Sequence, residues 1–350
     1  MPGTRKMGGQ IRVGLVGAGW FATRRHLPDL KAHSDVHLAA ICRRDEAKLN
    51  HIADHFGVSG RYQAFERMLS SEDLDAVVIA TPHSLHYAQA ELALQKSLHV
   101  LLEKPMTLRA SEADALVTLA TRKGCVVSVA LNPPHWRHTH HARSIIRDGT
   151  IGDLEAISQH WVGNSESVFG LSPLPEKMPG LVKPSLYRGD HSLSGGGHLM
   201  DTGSHLISEL IWLTGMTAET VFAQMDDTKL DMRSVVQVSF EGGVPANIIC
   251  IGNSTFDHRR IKNVYYGSKG TLTIEGMPFS VVLDLPGEQI LTVSEAEMAD
   301  LPGPVADFIQ AIQGGHESAS TGRHGARVVR IMEAAYRSAE CGKRIEIGSL

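Results

Sequence analysis

The stretch that decides the fold is IRVGLVGAGWFA, residues 11–22. IRVGLV is a short, apolar, β-branched run, and the next six residues, 17–22, have the pattern G-x-G-x-x-A. In a strand–turn–helix unit, Gly17 permits a tight turn, Gly19 lets the backbone approach a pyrophosphate, and Ala22 lets the helix pack closely on the strand. The N-terminus of the helix attracts phosphate groups. We expect a dinucleotide site here, although a purely structural glycine turn would look the same.

Strands and helices alternate from this stretch to about residue 131. The strand-like runs after the first are HLAAIC, DAVVIA, LHVLLE and CVVSVAL, at residues 37–42, 75–80, 98–103 and 125–131. Strands this apolar are buried on both faces, which is typical of a parallel sheet covered by helices. The sequence therefore predicts an α/β, doubly wound Rossmann domain over residues 11–131, preceded by a disordered extension over residues 1–10.

A different pattern begins at residue 132. A proline-rich loop is predicted over residues 164–190, a helix over 198–215, a series of short strands from about 220 to 293, and a helix over 322–343. Recurrent turn signals between the short strands favour antiparallel pairing. We expect residues 132–350 to form a second α/β domain with a large, open, mostly antiparallel sheet that binds substrate and mediates oligomerisation.

The end of the second strand indicates which dinucleotide is bound. An acidic residue there would hold the ribose 2′-hydroxyl of NAD, but the sequence has Arg43 and Arg44. A guanidinium group suits the 2′-phosphate of NADP, because it meets phosphate in a bidentate arrangement. The hypothesis is a preference for NADP over NAD, with Arg43 as the main contact and Arg44 stacked on the adenine. The alternative is a solvated basic pair ahead of a helix.

Glu103-Lys104-Pro105 ends the strand LHVLLE. Ligands of open parallel sheets bind outside the carboxyl ends of the strands, so Lys104 is expected in that crevice, where it could exchange a proton with a substrate. Taken alone, it could equally be an exposed lysine at a strand end.

Asp201 and His205 lie four residues apart in a helical pattern, so they are expected on one face. They could bind a metal, but two ligands are insufficient and no third has suitable spacing, so no metal is expected. They could instead act with Lys104 on a substrate hydroxyl. The glycine run at residues 195–197 is expected to let the chain approach a ligand, and Tyr187 and Arg188 before it are candidate substrate contacts.

The overall composition excludes several classes of partner. The 350 residues include 34 basic and 38 acidic side chains, for a net charge of −4, which favours neither nucleic acid nor an anionic membrane. None of the four cysteines forms a C-x-x-C pair, and the N-terminus lacks the apolar run of a secretory signal. We expect reduced thiols and a cytoplasmic protein.

These motifs together resemble the Gfo/Idh/MocA family, named after glucose–fructose oxidoreductase and inositol dehydrogenase. The resemblance covers nearly the whole chain. It is carried by the segments GLVGAGWFA, ATPHSLHYAQAELALQKSLHVLLEKP, RDGTIGDL, SGGGHLMDTGSHLISELIWLTG and AYRSAECGKRIEI. It implies a Rossmann domain followed by an α/β domain whose open sheet covers the cofactor and often forms the oligomer interface.

The resemblance also implies roles for individual residues. Lys104 matches the catalytic lysine, His205 the histidine that exchanges the substrate proton, and Asp201 the aspartate that orients substrate or histidine. Pro105 matches a proline that is commonly cis. The cofactor-binding residues that we expect are Gly17, Gly19, Trp20, Phe21, Arg43, Arg44, Thr81, Pro82, His86, Glu103, Lys104 and Asn132. The substrate-binding residues that we expect are Lys104, Tyr187, Arg188, Asp201 and His205.

Two departures from the family pattern concern the substrate pocket. The segment after the sixth strand is Asn132-Pro133-Pro134-His135-Trp136, where members often carry an aromatic–arginine pair, and Ser208 stands where many have an aspartate. The histidines at 135, 138, 140 and 141 could line the pocket mouth or lie on a solvated helix.

The resulting hypothesis is an NAD(P)-dependent oxidoreductase acting on a secondary hydroxyl or keto group of a sugar, cyclitol or related polyol. A homodimer or homotetramer is expected, because open strand edges need cover. Two alternatives remain open from the sequence. One is a glycosidase that uses bound NAD transiently, and the other is a dinucleotide-binding sensor without turnover.

Overall fold

The computed structural model of the chain describes residues 9–256 and 258–350. The disordered extension predicted for residues 1–10 therefore lies almost wholly outside the described residues. Two sheets organise the described chain, and the candidate site lies where their loops meet.

The first sheet contains six parallel strands in the order β3-β2-β1-β4-β5-β6. This order is that of a dinucleotide-binding Rossmann sheet. The strands are β1 (Ile11–Val16), β2 (Val36–Cys42), β3 (Gly60–Tyr62), β4 (Ala76–Ile79), β5 (His99–Leu102) and β6 (Val127–Val129).

Six helices belong to this part of the chain. They are α1 (Trp20–Arg24), α2 (His26–Ala32), α3 (Glu46–Phe56), α4 (Phe65–Ser71), α5 (His86–Gln95) and α6 (Ala110–Lys123). The segment after the glycine motif was expected to be one helix to about residue 31. It is two, because the backbone leaves the helical region at Arg25, where φ is −126° and ψ is −72°.

The second sheet contains nine strands in the order β14-β13-β12-β11-β7-β10-β9-β8-β15. All its neighbouring pairs are antiparallel except β7 and β10. The strands are β7 (Leu154–Val162), β8 (Ala218–Met225), β9 (Arg233–Phe240), β10 (Pro245–Ile251), β11 (Arg260–Gly267), β12 (Gly270–Gly276), β13 (Ser280–Asp284), β14 (Leu291–Ser294) and β15 (Ile345–Glu346).

The later helices are α7 (Arg137–Arg147), α8 (His191–Ser194), α9 (Ser204–Thr214), α10 (Pro304–Ile312) and α11 (Gly322–Cys341). The segment predicted as one helix over residues 198–215 begins with a π-helical turn, Leu199–Gly203, and continues as α9. A single wider turn keeps the apolar spacing almost unchanged, so the sequence pattern does not reveal it. π-Helical turns inside helices often occur at functional sites.

The last helices return to the first sheet. Val305 and Phe308 of α10 pack in the same apolar cluster as Val13 and Leu15 of β1. The strand β6 is extended by a hydrogen bond from Val129 N to Ser320 O of 2.9 Å. A boundary at residue 131 separates the strands of the two sheets. It does not separate the hydrophobic cores, because α10 packs on the first sheet. The division into residues 11–131 and 132–350 stays a prediction.

The first sheet reverses its strand order between β1 and β4. Helical connections leave to opposite sides at such a point and open a crevice at the carboxyl ends of the strands. The segments that follow β1, β4 and β5 meet there, because Val16 is in register with Ile79 and Ile79 with Leu102. This places Gly17, Thr81 and Glu103 around one crevice.

Candidate active site

The glycine turn fits a nucleotide on one side and the protein on the other. Gly17 has φ = +86°, and a side chain there would meet the carbonyl carbon of Ala80 at 2.5 Å. A β-carbon on Gly19 would instead meet only Gly17 O, at 3.7 Å, so this side is open. Gly17 is therefore required by the close approach to the end of β4, whereas Gly19 leaves space for a ligand.

The next two residues connect this turn to distant segments. Trp20 Nε1 donates to Pro179 O at 2.6 Å, so the proline-rich loop reaches the glycine turn. The guanidinium of Arg24 lies over the Trp20 ring, 4.6 Å from its centroid. The edge of Phe21 contacts the ring of His26, with centroids 5.5 Å apart. These contacts fix one wall of the crevice.

Arg43 and Arg44 have different environments. Arg43 is half-buried, donates to the Ala18 carbonyl in the glycine turn, and has a buried Nε without a hydrogen-bond partner. Arg44 is exposed. The acid that follows, Asp45, caps α3 by accepting from Lys48 N at 3.0 Å and also accepts from Lys48 Nζ at 2.7 Å. The carboxylate of Asp45 thus already accepts two hydrogen bonds from Lys48, while the N–H of Arg43 Nε, beside the glycine turn, donates none.

The segment after β4 is tied to the one after β5. His86 is fully buried, and its ring nitrogens lie 3.0 Å from Thr81 O and 2.8 Å from Pro105 O. Burial lowers the pKa of His86. Thr81 Oγ1 donates to Gln89 Oε1 at 2.7 Å, and Pro82 begins the short helical turn between them. Pro105 follows a cis peptide bond, in agreement with the resemblance.

Glu103 is positioned by a histidine that the sequence did not single out. His26 Nε2 lies 2.7 Å from Glu103 Oε1, and the second carboxylate oxygen accepts from Lys104 N at 3.2 Å. Burial alone would raise the pKa of Glu103, but His26 and Lys104 lower it below its usual value. Since His26 and Glu103 are 77 residues apart, no local pattern could link them.

Lys104 and Asp201 form the centre of the site. Lys104 Nζ donates to Asp201 Oδ1 at 2.7 Å and to Asp201 O at 2.6 Å. Arg188 Nε lies 3.0 Å from the same Oδ1. Burial would raise the pKa of Asp201, but the two cations outweigh it and hold that pKa well below its usual range. The carboxylate is therefore ionised and shared by Lys104 and Arg188.

His205 lies beside this centre without joining it. Its Nδ1 is buried and has no hydrogen-bond partner, and no hydrogen bond joins Asp201 to His205 within the described residues. Burial, with Lys104 second, lowers the pKa of His205 to about 3, so the imidazole is neutral. The Asp201 carboxylate contacts Lys104 and Arg188 instead of this imidazole, and its role in orienting substrate or histidine stays a prediction.

Tyr187 and His83 form a further contact at the site. Tyr187 Oη donates to His83 Nε2 at 3.1 Å, and His83 Nδ1 lies 2.9 Å from Ser194 O. Burial raises the pKa of Tyr187 to about 12. His83 was not predicted. Its position at the carboxyl end of β4, next to Thr81 and Pro82, was the available signal.

An aromatic wall borders His205. We use this name for Trp136, His138 and Phe279. His138 stacks on Phe279 with ring centroids 3.8 Å apart, and Trp136 lies 5.2 Å from His138 and 6.1 Å from His205. His138 is fully buried, neither ring nitrogen has a hydrogen-bond partner, and burial lowers its pKa to about 3, although Nδ1 lies 4.0 Å from Glu295 Oε1. Trp136 is the half-exposed member of the wall.

The other histidines of this segment are not on a solvated helix. His140 Nε2 lies 2.7 Å from Pro134 O, and its ring packs on Trp212 at 4.7 Å. His135 and His141 are half-buried. Asn132 begins the short helical turn after β6.

Contacts within the protein explain Ser208, one of the two family departures, and the glycine run at residues 195–197. Ser208 Oγ lies 2.8 Å from Nε2 of the buried His324, so its hydroxyl is hydrogen-bonded to α11. The glycines before the π-helical turn approach protein rather than ligand, which corrects the expectation for residues 195–197. A β-carbon on Gly196 would lie 2.4 Å from Tyr336 Oη, and one on Gly197 would lie 1.8 Å from Leu230 O.

No group of three or more histidine, cysteine, aspartate or glutamate side chains is arranged to hold a metal within residues 9–256 and 258–350. In the same residues, no helix is long and apolar enough to cross a membrane.

The chain was compared with models of protein families. Residues 11–131 match the oxidoreductase family with an NAD-binding Rossmann fold, and residues 139–273 match the Gfo/Idh/MocA C-terminal domain. The chain belongs to the Gfo/Idh/MocA family. The predictions of the family, of the fold class and of an NAD(P)-dependent oxidoreductase are confirmed.

Similar proteins of the Gfo/Idh/MocA family act on sugars, to judge by their names. The chain is 28% identical to a dTDP-3,4-didehydro-2,6-dideoxy-alpha-D-glucose 3-reductase of Streptomyces antibioticus, over 93% of this chain and 97% of the relative. It is 26% identical to D-xylose 1-dehydrogenase (NADP(+)) 2 of Haloferax volcanii, over 96% and 100%. The fold matches an inositol dehydrogenase homolog complexed with NAD+ from Azotobacter vinelandii with a TM-score of 0.82, at 19% identity over 99% and 100% of the chains.

Proposed function

We propose that the protein catalyses reversible hydride transfer between NADP or NAD and a secondary hydroxyl or keto group of a sugar, cyclitol or related polyol. The observation that carries the proposal is the Lys104–Asp201 pair, joined at 2.7 Å, at the carboxyl end of a parallel sheet beside a glycine turn. The named substrates of the Streptomyces and Haloferax relatives support a sugar.

The residues present fit a dinucleotide. The tight turn at Gly17 presents the open side of Gly19, and the unpartnered Nε of Arg43 lies beside the same turn. When bound, the nicotinamide accepts or donates the hydride. We infer a preference for NADP for two reasons. Arg43 can bind a 2′-phosphate, and the carboxylate of Asp45, which would otherwise accept from the ribose 2′-hydroxyl of NAD, already accepts hydrogen bonds from Lys48 as the N-cap of α3. Glu103, held by His26, is assigned to the nicotinamide side of the site.

Two groups handle the proton of the substrate hydroxyl. An ammonium group has three hydrogens, and Lys104 directs two of them at Asp201. The third is available to the substrate oxygen, where a positive charge stabilises a developing alkoxide. His205 is neutral because burial lowers its pKa to about 3, so its imidazole can accept a hydrogen bond from the substrate hydroxyl, whose proton passes on to water as Lys104 stabilises the alkoxide.

The remaining residues position the substrate. Trp136 offers a half-exposed indole face beside His205, suited to the apolar C–H face of a sugar ring. Arg188 neutralises Asp201 and orients its carboxylate, while Tyr187, held by His83, closes the same side.

The proposal is tested with Lys104→Ala in an absorbance screen at 340 nm, using NAD and NADP against a panel of sugars and cyclitols. We expect turnover in the wild type and a loss of at least about 10²-fold in kcat in the variant, because acid–base catalysis contributes about 10²–10⁴. Lys262→Ala, on β11 and paired with Glu275, is the control.

Cofactor binding should persist in Lys104→Ala, as measured by NADPH fluorescence. Near-normal turnover in this variant would remove the central claim. Release of free sugar without net cofactor reduction would instead identify a glycosidase.

We also infer a cytoplasmic homodimer or homotetramer. The second sheet leaves apolar side chains such as Val235 and Tyr266 exposed, at 38% and 44%, and these need cover. The four cysteines are unpaired, as expected in a reducing compartment. Light scattering coupled to size-exclusion chromatography measures the assembly, and a monomer at micromolar concentration would contradict it.

A further inference from the structure

The turn Leu199–Gly203 is held from outside by two buried side chains. Asp231, on the loop between β8 and β9, accepts from Gly197 N at 2.7 Å and from Leu199 N. Tyr336, on α11, donates its hydroxyl hydrogen to Asp231 Oδ2 at 2.6 Å. The two side chains come from positions 105 residues apart in sequence.

Together, Asp231 and Tyr336 accept hydrogen bonds from the backbone N–H groups at the start of the helical segment. The first N–H groups of a helix have no partner inside the helix and need acceptors from elsewhere. Asp231 supplies acceptors for Gly197 and Leu199, and the Tyr336 oxygen accepts from Met200 N at 3.1 Å. The glycines at 196 and 197 make room for this approach, because side chains there would clash with Tyr336 and with the backbone before Asp231.

The same turn carries the centre of the site. Lys104 contacts both the backbone oxygen and the carboxylate of Asp201, at 2.6 and 2.7 Å. A shift of the turn by a fraction of a hydrogen-bond length therefore changes both contacts at once.

We propose that Asp231 and Tyr336 are positioning residues that fix this turn and thereby hold Asp201 against Lys104 for hydride transfer. The inference rests on the function proposed above. It assigns the pair a role in the reaction rather than in folding alone.

The environment of Asp231 supports this assignment. It is fully buried, has no cationic partner within the described residues, and adopts φ = +36°, in the left-handed region that non-glycine residues rarely occupy. Burial raises its pKa to about 6. Buried, unpaired charge and backbone strain both oppose folding and are typical of positions that a site requires.

The experiment compares Tyr336→Phe and Asp231→Asn with the wild type in the stopped-flow pre-steady-state burst, with NADP and the most active sugar of the screen above both saturating. The amplitude reports the fraction of folded sites, whereas the rate constant reports hydride transfer in those sites. We expect the rate constant to fall about tenfold in Tyr336→Phe and further in Asp231→Asn, because a small misplacement can cost up to about 10²-fold. Cofactor Kd should stay within about twofold.

Tyr87→Phe, which removes a tyrosine hydroxyl of α5 that donates to Glu91 Oε1 at 2.8 Å, is the matched control and should leave the rate constant unchanged. A loss of amplitude with an unchanged rate constant in both variants would overturn the inference, because it would show a purely structural role.

A second readout does not need turnover. Amide hydrogen exchange at residues 197–203 should accelerate in both variants, since their N–H groups lose acceptors. Unchanged protection would overturn the inference even if the wild type showed no dehydrogenase activity, an outcome that would by itself reject the proposed function.

Discussion

At the scale of single residues, Arg43 shows how one side chain can decide between two cofactors. Its backbone N donates to Tyr62 O at 2.9 Å, which fixes the residue at the edge of the glycine turn, and its guanidinium contacts the Ala18 carbonyl. A 2′-phosphate would give the unpartnered Nε a charged acceptor.

We expect Arg43→Ala to lower the ratio of kcat/KM for NADP to that for NAD by about tenfold or more, since a charge-assisted hydrogen bond contributes about 1.5–3 kcal/mol. The measurement is initial-rate kinetics with both cofactors. Arg61→Ala, which removes an arginine of the neighbouring strand β3 that is paired with Asp54 of α3, should leave the ratio unchanged. An unchanged ratio in Arg43→Ala would show that the arginine only supports the turn.

Replacement of Trp136 distinguishes a role in substrate binding from a role in the chemical step. We expect Trp136→Ala to raise the substrate KM by about tenfold while kcat falls less, because the indole contributes contact area rather than proton transfer. Trp212→Phe offers a control outside the wall, on α9 and packed on His140. Equal losses in kcat and kcat/KM would instead indicate a role in the transition state.

Sequence reasoning found the charged residues at the centre of the site better than the residues that hold this site in place. Lys104, Arg188 and Asp201 were each singled out, and the structure brings them together, although their roles stay predictions. His26, His83 and Asp231 were missed, because each acts through a contact with a residue more than 30 positions away. The π-helical turn was missed because it preserves the apolar spacing of a helix.

At the scale of elements, α9 is fastened to the second sheet by a buried polar network. Glu209 Oε1 accepts from Asn263 Nδ2 at 2.6 Å, from Tyr265 Oη at 3.0 Å and from Gln159 Nε2 at 3.2 Å. Burial outweighs these bonds and raises the pKa of Glu209 to about 7. The folded state thus binds a proton on Glu209 more tightly than the unfolded state does.

The consequence is a pH-dependent stability. For a raised pKa, the stabilisation is complete below the unfolded value of about 4.5 and is lost as the pH rises through about 7. Glu209→Gln keeps an acceptor oxygen but cannot ionise. We expect it to remove about 3 kcal/mol of the wild-type decline in unfolding free energy between pH 4.5 and pH 7.5.

Urea unfolding at the two pH values measures this difference. Glu219→Gln, at an exposed position of β8, is the control and should follow the wild type. Parallel curves for Glu209→Gln and the wild type would mean that Glu209 is ionised in the folded protein throughout this range.

At the scale of the whole molecule, the two sheets were predicted from two different sequence patterns. Continuous apolar runs separated by helices predicted the parallel sheet, and short strands separated by recurrent turn signals predicted the open one. The return of α10 to the first core was not predicted, because nothing in an amphipathic helix such as Pro304–Ile312 says which of two sheets it will cover.

This return gives a prediction about fragments. A fragment of residues 9–131 leaves the surface covered by Val305 and Phe308 exposed, so we expect it to bind a hydrophobic dye and to lack a cooperative thermal transition. Joining residues 9–131 to residues 304–341 through a flexible linker should restore a cooperative transition and cofactor binding. A cooperative transition in the shorter fragment alone would contradict the prediction.

The path of the chain also bears on how such proteins diversify. Because the chain leaves the first core after β6 and re-enters it at α10, strands β7 to β14 of the second sheet form an insertion with both ends anchored in one scaffold, and the edge strand β15 is added after α11. Such an insertion can be exchanged at two junctions, provided that the replacement keeps the contact between its loop and Trp20 of the glycine turn. Substrate range and coenzyme choice can then be inherited, or engineered, as separate traits.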